Sequence, residues 1–347
     1  MEHTTKRPLV LSTPPHVFDG ITTQKVMLNV VIALVPTLIA SFVIFGWRAL
    51  LVTAVTTAAC VLFEYLWCLL RKTPQTAGDL SAVVTGLLLA FNLPSTIPLY
   101  MAVIGSFVAI VVVKELFGGI GRNFANPAIV ARIVLSVSFT AAMTNYAAPQ
   151  GFLPGATGVD AVSSATPLAP GAAQLPFMDL LFGVHPGVLG ETCGIAILLG
   201  FAWLLVTRTV TFTIPGVYVG TVIVCSLLTG HDVATQVFSG GLLLCAVFMA
   251  TDYTTSPTTF KGQVIFAVGL GLITCLIRFW GNMNEGAAYS ILLMNLVVPY
   301  IDSLTATTPL GGEKKRRFAR AKKEGGELWR THPTLPPRPL HPSGTAW

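Results

Sequence analysis

The sequence predicts an all-α integral membrane protein, with about ten transmembrane helices forming two inverted five-helix repeats and short or broken helices near the midplane. Three observations predict it. First, the 347 residues are 53% hydrophobic and only 10% charged, with mean hydropathy +0.72. A soluble domain carries about 25% charged residues, so lipid must be the solvent for most of this chain. Second, apolar segments recur along the chain at lengths near the 20 or so residues a spanning helix needs. Third, segments in the two halves echo each other: Gly86 and Gly241 open similar Leu-rich runs, and Gly121-Arg122-Asn123 is matched by Gly281-Asn282-Met283-Asn284.

Residues 1–24 are polar and read as a cytoplasmic N-terminal segment without a cleavable signal, because the first apolar run is long enough to stay in the membrane as a helix. The first repeat, 25–139, holds Lys25–Phe45 and Ala49–Leu70, joined at Gly46-Trp47-Arg48. Ser81–Leu93 follows and is too short to cross straight before Pro94; then come Leu99–Phe117 and the short Ala128–Phe139. Residues 140–193 form a long outer loop rich in Gly, Ala and Pro. The second repeat, 194–302, holds Gly194–Val210, Gly216–Leu228, Val233–Ala250, Val264–Phe279 and Ala287–Ile301. Residues 303–347 turn polar, basic and Pro-rich, as a disordered cytoplasmic tail does.

Charge placement orients the chain. Formal charge is +6, and residues 313–330 alone hold eight Lys/Arg against three Asp/Glu. The rest is nearly neutral, which points to lipid headgroups and topology and away from nucleic acid. With the N-terminus inside, Lys6, Arg7, Lys25, Arg71, Lys72, Arg122, Arg208, Lys261 and the tail all fall on the cytoplasmic side. No Lys or Arg lies between Arg132 and Arg208, the stretch that contains the outer loop. Five spans per half is an odd number, so the repeats have inverted topology, and their Gly/Pro-interrupted spans point to a binding site near the midplane. The six cysteines form no CxxC pair and sit mostly in apolar runs, as small hydrophobes do. His16, His185 and His231 are too scattered for a metal site.

Two segments carry candidate chemistry. The outer loop contains Asp160-Ala-Val-Ser163-Ser164-Ala165-Thr166-Pro167, which composition alone reads as a solvated turn. The turn Gly118-Gly119-Ile120-Gly121-Arg122-Asn123-Phe124-Ala125-Asn126-Pro127-Ala128 is Gly-rich, but no strand precedes it, so it is a poor phosphate cradle. Gly supplies positive φ there and Pro127 starts the next helix. Asn123 and Asn126 read equally as capping amides and as hydrogen-bonding partners for a ligand.

The D-x-x-S-[GS]-A-T pattern resembles the flavinylation motif of the membrane-protein family that includes the D subunit of Rnf electron transport complexes and the B subunit of the sodium-pumping NADH:quinone reductase. The 118–128 turn is similar to that family's GG-x-G-x-N-x-x-N-P-A segment. Pro14-Pro15-His16, Met249–Pro257 (F-M-A-T-D-x-x-T-S-P) and Asn284–Asn295 (E-G-x-x-x-(A/S)-I-L-L-M-N) match as well, so the resemblance covers about residues 14–303 and favours the Rnf branch. It implies an FMN attached by a flavin transferase, through its phosphate, to Thr166, which makes the chain a phosphoprotein. It assigns Asp160, Ser163 and Ser164 to the recognition pattern. It implies a second, non-covalent flavin (riboflavin) near Asn123 and Asn126. The partners it implies are the A, B, C, E and G subunits of an Rnf complex in the cell inner membrane. The function it implies is electron transfer coupled to Na⁺ or H⁺ transport, with no catalytic residue in this chain.

A charge in the bilayer costs about 2.5–3.5 kcal/mol on insertion scales, so Glu64, Lys114, Glu115, Arg132, Asp252, Arg278 and Glu285 need a use or an interfacial position. Lys114 and Glu115 are the expected buried pair, with an ion-path role for Glu115 or Asp252 as the lesser alternative. The rival to the redox reading is a solute channel or transporter built on inverted repeats; a plain membrane anchor for a flavoprotein is a third. The Asp160–Thr166 motif separates them, since neither alternative needs it.

Overall fold

A helix in lipid satisfies its backbone internally and turns apolar side chains outward, and that is the pattern of the computed structural model. It describes residues 22–147, 149, 163–164, 166–168, 175–281 and 286–306. Among these, four helices are long and apolar enough to cross a membrane: α1 (Thr23–Phe45), α2 (Trp47–Arg71), α12 (Phe260–Trp280) and α13 (Ala287–Thr305). Shorter apolar helices are α3 (Ser81–Phe91), α5 (Pro127–Ser138), α8 (Gly194–Val206) and α9 (Thr213–Thr229). Leu62, Leu69, Leu228 and Leu276 point outward from these helices and are exposed, as lipid-facing residues are.

The remaining elements are short or irregular. α4 (Leu99–Phe107) runs on as a π-helical stretch, Val108–Glu115. α6 (Thr140–Met143) leads into β1 (Tyr146–Ala147), which pairs antiparallel with β2 (Ser163–Ser164). α7 (Phe177–Phe182) precedes α8, and α10 (Val233–Phe238) follows α9. α11 (Leu242–Leu244) also turns π-helical, over Cys245–Met249. The chain divides into one unit through Thr305 and another from Ala306 onward, and the tail beyond Ala306 lies outside the described residues.

The expected span Val233–Ala250 is not one helix. Ser239 leaves α10 extended, and Gly240 and Gly241 take φ +70° and +65° before α11 begins. Hydropathy does not register such a break; two adjacent left-handed residues force it. The other boundaries follow the hydropathy closely. α2 packs on α3 and α4, α9 on α12, and α12 on α13; across the halves, α1 packs on α8 and α5 on α13.

Local chemistry sets the ends. Asn126 caps α5, its Oδ1 accepting from the amides of Ala128 (3.1 Å) and Ile129 (3.4 Å), with Pro127 at the first position. Asp232 caps α10 through the Thr235 amide (2.8 Å) and hydroxyl, and these bonds hold its carboxyl below the ordinary carboxylate range. Asp232→Ala should cost about 1 kcal/mol, read as a lower thermal unfolding midpoint. Because the carboxyl titrates low, the capping contribution is present near neutrality and fades as pH falls through the folded-state value.

Candidate functional site

Two regions collect the polar groups that the lipid-facing surface lacks. The first gathers around β1, β2 and the helix break at Ser239–Gly241. Thr96 Oγ1 donates to the Asn145 carbonyl (2.7 Å), and Tyr146 and Ala147 then pair with Ser164 and Ser163. Leu168 lies against the broken helix: a Cβ on Gly240 would collide with its side chain and with Arg278. Thr166 is only 7% exposed, and its Oγ1 has no hydrogen-bond partner. The Thr166 hydroxyl, which composition alone reads as part of a solvated turn, is therefore buried. Asp160 lies outside the described residues, as does Glu285.

Nearby, Glu191 Oε1 accepts from the Gly240 amide. Arg278 ties down the broken helix, donating to the Gln236 (2.6 Å), Ser239 (3.1 Å) and Gly240 (3.1 Å) carbonyls. Arg132 donates to Asn92 Oδ1, while Asn92 Nδ2 reaches the Leu88 carbonyl (2.7 Å) and Met249 Sδ (3.5 Å). Glu191 Oε2, Thr192 Oγ1, Ser239 Oγ and Arg278 Nε are buried without partners here, alongside Thr166 Oγ1. Buried polar atoms normally find partners in protein or ordered water. No motif in the sequence signals the contact of Glu191 with Gly240.

The second region is a cavity of about 700 Å³, bounded by the start of α1, the 120–127 turn, the 207–210 turn and the 251–254 turn. Its volume falls in the range of about 300–1,000 Å³ of small-molecule sites. Asn123 and Asn126 both reach it, as do Lys25, Lys114 and Asp252. Asp252 accepts from the Thr254 (3.1 Å) and Thr255 (3.3 Å) hydroxyls, and Thr254 Oγ1 accepts from Asn123 Nδ2 (3.3 Å). Asn123 Oδ1 stays buried with no partner. Asn126 is otherwise engaged: besides capping α5, its Nδ2 donates to the Met249 carbonyl (3.4 Å). With its amide oriented to satisfy its neighbours, Asn295 accepts from the Asn126 N–H (3.2 Å) and donates to the Thr255 carbonyl (3.1 Å).

The buried cation differs from expectation in its partner. Lys114 pairs with Glu64 on α2 at 3.0 Å and also donates to Ser81 Oγ at 2.6 Å. Glu115, its chain neighbour, leaves Oε1 buried and unpartnered. Adjacent helical residues point apart, whereas α2 lies alongside the π-helical stretch. Arg132 is buried and Arg278 half-buried.

Fold and polar regions together define a multi-pass α-helical membrane protein with a cavity of small-molecule size. The chain belongs to the NQR2, RnfD, RnfE family, whose model matches residues 10–311. It is 42% identical over 320 residues to the D subunit of the Na⁺-translocating ferredoxin:NAD⁺ oxidoreductase complex of Acetobacterium woodii, covering 90% of this chain and 98% of that one. It is 39% identical over 327 residues to the D subunit of the proton-translocating ferredoxin:NAD⁺ oxidoreductase complex of Clostridium ljungdahlii, covering 88% and 97%. To the D subunit of the ion-translocating oxidoreductase complex of Rhodobacter capsulatus it is 38% identical over 299 residues, covering 76% and 84%.

Proposed function

We propose that this chain is the membrane subunit of an ion-translocating ferredoxin:NAD oxidoreductase complex and passes electrons through FMN esterified to Thr166. The observation that carries the reading is near-full-length similarity to the D subunits of such complexes, joined to a flavinylation-like motif whose last hydroxyl is a buried orphan. Esterification would convert Thr166 Oγ1 from an unpaired donor into a phosphoester oxygen: the hydroxyl gives up its proton, and the leaving group of an activated flavin phosphate departs with the displaced electron pair. Arg278 Nε and Ser239 Oγ lie at the same end of the fold as candidate donors to the phosphoryl oxygens. The flavin supplies the redox chemistry; the chain positions it and excludes water.

In this reading α1–α5 and α8–α13 form two inverted repeats. The pairing of α1 with α8 and of α5 with α13 supports a pseudo-two-fold relation. The termini and the cavity mouth lined by Lys25 and Arg208 are cytoplasmic, and the 140–193 loop is on the outer side, in keeping with the positive-inside rule. The inner cavity takes the second flavin, riboflavin, and Asn123 is the amide with acceptor capacity to spare for it.

Peptide mapping by mass spectrometry tests the attachment: the peptide spanning Thr166 should carry the mass of FMN less one water when a flavin transferase is co-expressed. An unmodified peptide would overturn it. For the cavity, Asn123→Ala should lower acid-releasable riboflavin more than Asn126→Ala, which acts mainly on helix capping. The reverse order would reassign the contact.

A further inference from the structure

Burying an ion pair in a membrane is costly, and apolar residues of similar volume usually hold two helices together as well. The Glu64–Lys114 pair therefore calls for a use beyond locking α2 to the π-helical stretch. Its placement suggests one. Lys114 is 3% exposed, yet it lies in the wall of the inner cavity together with its hydrogen-bond partner Ser81. Glu64 is 0% exposed and is not among the lining residues. The pair is thus a dipole set into the wall with its positive end toward the cavity. The carboxylate is held from behind by the Thr76 hydroxyl at 2.7 Å, and Ser81 is held by Asp79 Oδ1 at 2.6 Å.

We infer that Lys114, held by Glu64 and Ser81, is a buried positive charge that, beside Lys25 and Arg208 in the same lining, tunes the reduction potential of the flavin in this cavity. The inference rests on the reading that the cavity takes a flavin. An electron passed from a one-electron donor elsewhere in the complex leaves that donor oxidised and adds one negative charge to the ring system. A fixed ammonium in the wall stabilises the added charge without a proton having to follow it, and a partly desolvated surround screens that charge less than bulk water does. Glu64 opposes this field from farther away while keeping the ammonium in place. Lys114 is thus a positioning and tuning residue that need not touch the reacting atoms.

The test uses the full chain in nanodiscs, produced without a flavin transferase so that Thr166 is free, and loaded with riboflavin. The midpoint potential of the bound flavin is followed by anaerobic titration. Lys114→Gln should lower it, Glu64→Gln should raise it, Lys114→Arg should leave it near the wild-type value, and Glu64→Gln/Lys114→Gln should fall between the two single neutralisations. If Lys114→Gln does not fold, the double variant, which leaves no uncompensated charge, must still lie below Glu64→Gln. Shifts in the same direction for both neutralisations, or no shift, would overturn the inference while leaving the cavity reading intact. A wild-type chain that takes up no riboflavin overturns the cavity reading and this inference with it.

Discussion

Lys114→Met should destabilise the folded chain by about 3–5 kcal/mol, because it leaves a buried carboxylate without its cation. Glu64 is 0% exposed; once the ammonium at 3.0 Å is gone, the Thr76 hydroxyl is the one partner still bonded to it among the described residues. Ser81 Oγ also loses a 2.6 Å donor. The effect should appear as a lower thermal unfolding midpoint in nanodiscs, with α2, α3 and the π-helical stretch losing protection from hydrogen exchange first. Glu64→Leu/Lys114→Met should recover most of the loss, since it removes both charges and restores apolar packing. If the double variant were as unstable as the single one, charge burial would not be the reason.

The second large effect lies where the two halves meet. α8 approaches α1 so closely that a Cβ on Gly200 would collide with the Ala33 carbonyl oxygen and lie 3.0 Å from Phe248 Cζ. Small residues permit such contacts between membrane helices, and lipid offers no hydrophobic gain to offset a lost one. Gly200→Ala should therefore cost about 1–3 kcal/mol through overpacking. On the proposed reading Gly200→Ala should also disturb riboflavin binding, because Phe248 lines the cavity of about 700 Å³. Gly220 on α9 is the matched control: a Cβ there meets nothing within 4 Å, so Gly220→Ala should stay within about 0.5 kcal/mol of wild type. Equal losses for the two variants would contradict the close packing of α1 on α8.

Much of this was legible in the sequence, for physical reasons. Segments such as Thr23–Phe45 and Phe260–Trp280 announce themselves because lipid demands apolar residues on every face. The α5 cap was legible from Asn126 followed by Pro127, a local pairing of side chain and amides. Hydropathy failed at Ser239-Gly240-Gly241, where a pair of left-handed glycines splits an apolar run whose average composition still looks continuous. It failed again for Lys114, whose partner stands 50 residues away on α2; chain proximity suggested Glu115, and only tertiary packing chooses Glu64. The contact between Glu191 and Gly240 is illegible for the same reason. The motif ending at Thr166 identified a hydroxyl but not its burial, and the two-residue pairing of Tyr146–Ala147 with Ser163–Ser164 is too short to leave a periodic trace in the sequence.

The central claim concerns that hydroxyl. Denaturing gel electrophoresis of the chain co-expressed with a flavin transferase, viewed under ultraviolet light, tests it most directly. Wild type should give a fluorescent band that survives denaturation, and Thr166→Ala should give a dark band of equal protein intensity. A dark wild-type band, or fluorescence that persists in Thr166→Ala, would contradict the account.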